Sequence, residues 1–250
     1  MQSYFLTDTG KIRSHNEDAV NIVKNDVGEY LMIVADGMGG HKAGEIASSI
    51  TVDHFTSSFL EYKTIGTKND AIEYIKKNIE LANRKIIDYT KEHPESTGMG
   101  TTCVLAIITE EYLLFGNIGD SSGFVKKDGN LYKITHDHTL VNVLVEAGNL
   151  SEEEAQVHPR KNVLMKALGA NDKIEMDIFN VERDVSEVLL CSDGLTNMLT
   201  NDQIEKVLND SELTYKGKIN KLIRKSNARG GNDNISVAYL VLESGDESDN

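Results

Sequence analysis

Leu31-Met32-Ile33-Val34-Ala35 is an uninterrupted apolar run that stops on an acid, Asp36, followed by Gly37-Met38-Gly39-Gly40. A short apolar run bounded by turn residues reads as a buried strand. The glycines let backbone approach a ligand closely, but a flexible segment after a rigid strand costs conformational entropy, which a bound cation would offset. Taken alone, Asp36-Gly37 is also ordinary turn chemistry. The arrangement recurs: Tyr112 to Ile118 leads into Gly119-Asp120, and Val188-Leu189-Leu190-Cys191 leads into Ser192-Asp193-Gly194. A fourth acid, Asp233, stands just before the alternating run Ile235, Val237, Tyr239 and Val241.

The 250 residues, 39% of them hydrophobic, suffice for one large core, and two prolines with no Pro/Gly/Ser-rich linker argue against an internal boundary. We expect a single domain over 1–242, followed by an acidic, disordered tail over 243–250. Acids outnumber bases 40 to 26, a formal charge of −14, so nucleic acid is not an expected partner. The opening Met1 to Asp8 has neither a basic stretch nor a sustained apolar one, and no later run reaches membrane-spanning length. A soluble cytoplasmic protein without membrane insertion is expected. Cys103 and Cys191 lie inside apolar runs, as reduced thiols packed as small hydrophobes do.

Between the acids, the pattern is mixed. Val52, Phe55 and Phe59 predict one helix; Ile72, Ile75, Ile79, Ala82 and Ile86 predict a second, capped by Asn69 or Asp70 and followed by Pro94. A strand is expected from Gly98 to about Ile108. Phe124 to Lys126 and Leu131 to Ile134 flank Lys127-Asp128-Gly129-Asn130, a hairpin signal that brings in antiparallel pairing. Ser151 with Glu154 makes a capping box, and Thr200 with Gln203 starts another helix. His136, His138 and His158 match no zinc spacing.

Antiparallel strands place the start of one beside the end of its neighbour, so Asp36, Asp120, Asp193 and Asp233 can meet at one edge. Carboxylates so gathered repel by several kcal/mol unless protons or cations neutralise them. Oxygen ligands without Cys or His select hard ions such as Mg²⁺ and Mn²⁺. Two ions about 3.5–4 Å apart sharing Asp36 would make a bridging water acidic enough to attack phosphorus, the chemistry of a two-metal hydrolase.

Seven motifs in order, Arg13-x-x-Asn16-Glu17-Asp18, Val34-Ala35-Asp36-Gly37-Met38-Gly39-Gly40-His41, Gly98-Met99-Gly100-Thr101-Thr102, Gly119-Asp120-Ser121, Asp137-His138, Ser192-Asp193-Gly194-Leu195-Thr196 and Gly231-Asn232-Asp233-Asn234-Ile235-Ser236, resemble those of the metal-dependent protein phosphatases, the protein phosphatase 2C family. The resemblance is closest to bacterial members that act in signalling opposite PASTA-type serine/threonine kinases. It implies an α+β fold, a central antiparallel β-sandwich flanked by pairs of antiparallel helices in four αββα layers. It implies a dinuclear Mn²⁺ or Mg²⁺ site, with a third ion in some members. By position, Asp36 and the Gly37 carbonyl are implied metal ligands with Asp193 and Asp233. Glu17 acts through water, Asp120 is the third-metal carboxylate, and Arg13 receives the substrate phosphate.

The implied activity is hydrolysis of phosphoserine and phosphothreonine in proteins, a cognate kinase among them, by direct attack of water bridging the two ions. A monomer is expected. Alternatives are a non-catalytic phosphoprotein-binding regulator of the same fold, or a two-metal phosphomonoesterase for small molecules. Two positions depart from the family. Met38 stands where animal members have a histidine, leaving His41 or a metal-bound water as candidate general acid. Ser122 stands where bacterial members usually have arginine, removing a cation from an expected carboxylate-rich rim.

Overall fold

The computed structural model describes residues 1–40 and 43–242. In chain order the elements are β1 (Gln2–Asp8), β2 (Asp18–Lys24), β3 (Tyr30–Met38), α1 (Ala43–Glu61), α2 (Lys68–Glu92), β4 (Gly100–Thr101), β5 (Cys103–Ile108), β6 (Leu113–Ile118), β7 (Ser122–Lys127) and β8 (Asn130–Lys133). There follow α3 (Leu140–Glu146), α4 (Glu152–Val157), β9 (Asp177–Val181), β10 (Glu187–Cys191), α5 (Asp193–Thr196), α6 (Asn201–Leu208), α7 (Tyr215–Ala228) and β11 (Ile235–Val241). One sheet runs β1-β11-β10-β7-β8 and the other β2-β3-β5-β6-β9, with β4 on the end of β3. The pairings are antiparallel.

The unbroken apolar runs are explained by what lies on each face. Along β3, Leu31, Ile33 and Ala35 pack under α1 and α2, whereas Met32 and Val34 face the other sheet. Along β10, Val188 and Leu190 fill the space between sheets, and Leu189 and Cys191 meet α5, α6 and α7. Strands covered on both sides cannot alternate in polarity. Three apolar layers therefore separate four structural ones, as the α+β sandwich expectation required. Among the described residues no helix is long and apolar enough to cross a membrane. Both cysteines are free and buried. Residues 243–250, expected to form a disordered tail, lie outside the described residues.

Several boundaries differ from the sequence reading. β3 does not stop at Asp36, because Gly37 and Met38 pair with Thr101 and Gly100. The strand expected from Gly98 is broken at Thr102, which leaves the ladder to bond Asp36. The hairpin forms around Asp128 and Gly129, whose φ values of 51° and 83° suit a tight turn of the primed class. The α2 cap is Thr67 rather than Asn69 or Asp70: its N–H donates to Asp70 Oδ2 at 2.9 Å, and the Asp70 N–H donates back to its Oγ1 at 3.3 Å.

The ladders also set where the chemistry lies. β10 ends beside the start of β11, with Cys191 opposite Val237, and β1 ends there too, with Asp8 opposite Ile235. In the second sheet Asp18 at the start of β2 is directly opposite Asp36.

The cap sits at the end of the sandwich holding the β5–β6 turn, since Tyr112 Oη donates to the Gly66 carbonyl at 3.0 Å. Thr67→Ala is therefore expected to cost about 1 kcal/mol, lowering the melting temperature by roughly 2–4 °C, with the functional end untouched. Urea unfolding compared with turnover checks this.

Candidate active site

Each acid is held by its own local device. The Asp36 N–H donates to Thr102 Oγ1 at 2.9 Å, and its carbonyl accepts from the Thr102 N–H and Thr101 Oγ1, both at 2.9 Å. Thr102 and Ser121 hydroxyls share a 2.7 Å hydrogen bond, tying β3 to the turn that carries Asp120. Asp193 begins α5, where Asn197 Nδ2 donates to its Oδ2 at 2.9 Å. Gly194 has to follow, because a Cβ there would stand 1.9 Å from the Asn234 carbonyl oxygen. Asn234 in turn accepts the Glu17 N–H at 2.8 Å and donates to the Thr9 and His15 carbonyls, both at 2.9 Å, so the 9–17 loop is stapled to the start of β11.

The structure thus brings Arg13, Glu17, Asp36, Gly37, Asp120, Asp193 and Asp233 to one end of the sandwich. Arg13 Nη2 lies 2.7 Å from Asp233 Oδ2, with its side chain half exposed. The Gly37 N–H donates to the Glu17 carbonyl at 3.1 Å, and a Cβ on Gly37 would lie 2.1 Å from the Gly44 carbonyl oxygen, so α1 can approach only a glycine. His41, the candidate general acid, lies outside the described residues.

Asp18, part of a quoted motif but given no role from sequence, is buried facing the same cleft. Ser192 Oγ donates to its Oδ2 at 2.7 Å and accepts the Ser236 N–H at 2.9 Å. A signal existed in the Asn16-Glu17-Asp18 motif, but only the β2–β3 register places Asp18 opposite Asp36.

Crowding and loss of water push these carboxyls toward their protonated forms. Asp36 is raised well above the usual range, by burial and then by Asp18, Asp193, Asp120 and Asp233. Asp18 and Asp120 are each pushed up to about 7, chiefly by burial. Asp193 rises to about 6, through burial and then Asp233, and Glu17 rises through burial. Glu17 Oε1, Asp18 Oδ1 and Asp193 Oδ1 are buried without hydrogen-bond partners. Oxygen donors that are anionic, buried and unpartnered fit hard divalent cations. Among the described residues, as placed, no three His, Cys, Asp or Glu side chains stand close enough together to hold one metal ion.

Ser122 is not on that rim. It is fully buried at the start of β7 with its Oγ unpartnered. The local cation comes instead from Lys133, opposite Phe124 on the same sheet face, whose Nζ contacts both Asp137 oxygens at 2.7 Å and draws the Asp120 carboxyl down. Asp120 and Asp193 also form one wall of a cavity of about 750 Å³ bounded by Lys133, Asp137, Asn142 and Lys161.

The protein phosphatase 2C family model matches residues 11–235. The chain belongs to the protein phosphatase 2C family. It is 40% identical over 241 residues to the serine/threonine phosphatase stp of Listeria monocytogenes, covering 96% of this chain and 95% of that protein. Protein phosphatase PhpP of Streptococcus pneumoniae is 36% identical, covering 98% and 99%. The solved serine/threonine phosphatase of S. agalactiae superposes with a TM-score of 0.91 at 39% identity, covering 97% of this chain and 99% of that one. The PstP catalytic domain solved with two manganese ions gives 0.83 at 29% identity, covering 97% and 98%. Phosphatase 2C membership carries metal dependence with it.

The raised carboxyls make a prediction about stability. Folded Asp18, Asp120 and Asp193 hold protons to about pH 6–7, whereas unfolded chains release them near 4. The native state therefore binds more protons across this window, and stability falls as pH rises through it. In chelator-treated protein, unfolding free energy is expected to be higher at pH 5 than at pH 8 from this source, and Asp36→Asn should flatten the slope. Denaturant titrations at both pH values, with and without the substitution, measure it.

Proposed function

We propose that this protein is a metal-dependent protein serine/threonine phosphatase that uses the carboxylate cleft to hold two Mn²⁺ or Mg²⁺ ions, with a third at Asp120. The observation that carries the reading is the convergence of Glu17, Asp18, Asp36, Asp120, Asp193 and Asp233 on one cleft, with unpartnered buried oxygens on three of them. Asp36, the Gly37 carbonyl, Asp193 and Asp233 would hold the pair, and Glu17 would act through water. When bound, the ions supply a water acidic enough to attack phosphorus and positive charge against the phosphoryl oxygens.

The chain's own groups do the rest. Arg13, half exposed beside Asp233, offers a planar fork to a phosphate dianion. Asn197 and Ser192 orient Asp193 and Asp18 by the hydrogen bonds given above. Neither cysteine serves as a nucleophile, since burial pushes both thiols up and away from the thiolate. Protonation of the leaving serine or threonine oxygen is given to His41 or to water. Phosphorylated proteins, a cognate serine/threonine kinase included, are the substrates we infer, acted on by a monomer in the cytoplasm.

Turnover of a phosphothreonine peptide should require added Mn²⁺ or Mg²⁺, vanish with chelator and return on adding metal back. Full turnover by protein verified metal-free by elemental analysis would defeat the mechanism. Asp36→Asn should lower the rate by at least about two orders of magnitude with the circular dichroism spectrum retained.

Arg13→Ala should mainly raise KM with a smaller effect on kcat, and Arg13→Lys should recover part of the loss. A collapse of kcat at unchanged KM would show that Arg13 has another role.

A further inference from the structure

His138 belongs to the Asp137-His138 motif, to which the phosphatase reading gives no task. It is buried and uses all four of its polar groups. Its N–H donates to the Gly119 carbonyl at 2.9 Å, and its Nδ1 accepts the Gly119 N–H at 3.1 Å, so both polar backbone groups of the residue before Asp120 end on one side chain and its own backbone. Its carbonyl accepts the Met165 N–H at 2.8 Å. Its Nε2 stands 3.0 Å from Asp177 Oδ2, and Lys166 Nζ reaches the other oxygen of that carboxylate at 3.3 Å.

These contacts join two parts of the molecule. Gly119, at φ 100°, starts the turn that aims Asp120 into the cleft. Residues 163–168 return from the α3–α4 segment that bounds the cavity, clipped at Met165 to His138 and at Leu168 to Thr101, whose hydroxyl holds the Asp36 carbonyl. An acceptor at Nδ1 fixes the ring proton on Nε2, where it donates to Asp177. An imidazolium, or the other tautomer, would turn a donor onto the Gly119 N–H.

We propose that His138, as the neutral Nε2–H tautomer, is a positioning residue that fixes the Asp120 turn against the returning 163–168 strap, and so sets divalent-ion affinity at Asp120. This rests on the metal role proposed for Asp120, which Asp120→Asn tests separately through calorimetric Mn²⁺ titration. Residues that orient ligands from one step behind change metal affinity by roughly 10–100-fold when replaced.

Asparagine can present an acceptor near the Nδ1 position, and glutamine a donor near Nε2. In the full-length protein, His138→Gln should therefore weaken the Asp120-dependent Mn²⁺ binding step by about tenfold or more and speed hydrogen exchange at the Gly119 amide, whereas His138→Asn should stay within about threefold of wild type on both. Nitrogen-15 shifts of His138 in the unaltered protein should show a proton on Nε2 alone at pH 7.5, a readout that does not require any variant to fold. Asp177→Ala, at a half-exposed position, should loosen the same Gly119 amide to a lesser degree. A protonated Nδ1 in the wild type, or folded His138→Gln with unchanged Mn²⁺ binding and unchanged Gly119 exchange, overturns the inference. Loss of the Asp120 step from wild type itself would count against the metal role instead and leave the tautomer and exchange results to judge the positioning.

Discussion

Like charges brought together out of water are the constraint to which the rest of this structure answers. Burial raises the pKa of Asp36 most, and Asp18, opposed to it across the ladder, then Asp193, Asp120 and Asp233 raise it further. Such an arrangement costs free energy in the isolated chain and is tolerated where cations repay it. The sandwich supplies what the site takes: three apolar layers, with Leu31, Val188 and Leu240 among residues wholly removed from solvent. Stability lies in the middle of the molecule, and the crowded acids lie at one end.

Holding the acids without neutralising them falls to hydroxyls and amides. Thr101, Thr102, Ser121 and Asn234 place backbone, while Ser192 and Asn197 each hold one oxygen of Asp18 and Asp193 and leave the other unbonded. A lysine or arginine at those positions would satisfy the carboxylates too well. Arg13 and Lys133 stand near the cleft, paired with Asp233 and Asp137 at its edges. Glycine does the complementary task at Gly37 and Gly194, where neighbouring backbone occupies the volume of a side chain.

The strands ending in acids were legible because burial on both faces leaves an unmistakable apolar run, and the site was legible because its acids follow those runs. β2 was not legible, since Asp18 and Asn21 interrupt it and its burial is partial along most of its length. β9 carries five residues of mixed polarity and is recognised only by its pairing to β6. Asp18 and His138 were visible as residues but not as roles, because those depend on register and on partners far along the chain. Ser122 shows the opposite limit: a charge expected at one position is supplied from the neighbouring strand, which substitution at a single site cannot reveal.

β1 pairs with β11 from Gln2 opposite Val241 to Asp8 opposite Ile235, and Arg13 meets Asp233 across 220 positions. β11 is thus the strand that completes the first sheet between β1 and β10, and Asp233, an acid of the cleft, stands just ahead of it. Contacts of such separation carry a large loop-closure entropy and slow folding. The α1–α2 layer packs on β3 without any residue of β11, whereas the cleft needs Asp233 from the segment just before it. Closing the first sheet and completing the acid cluster are therefore one event, because the pairing that seats β1 against β11 is the one that brings Asp233 to Arg13.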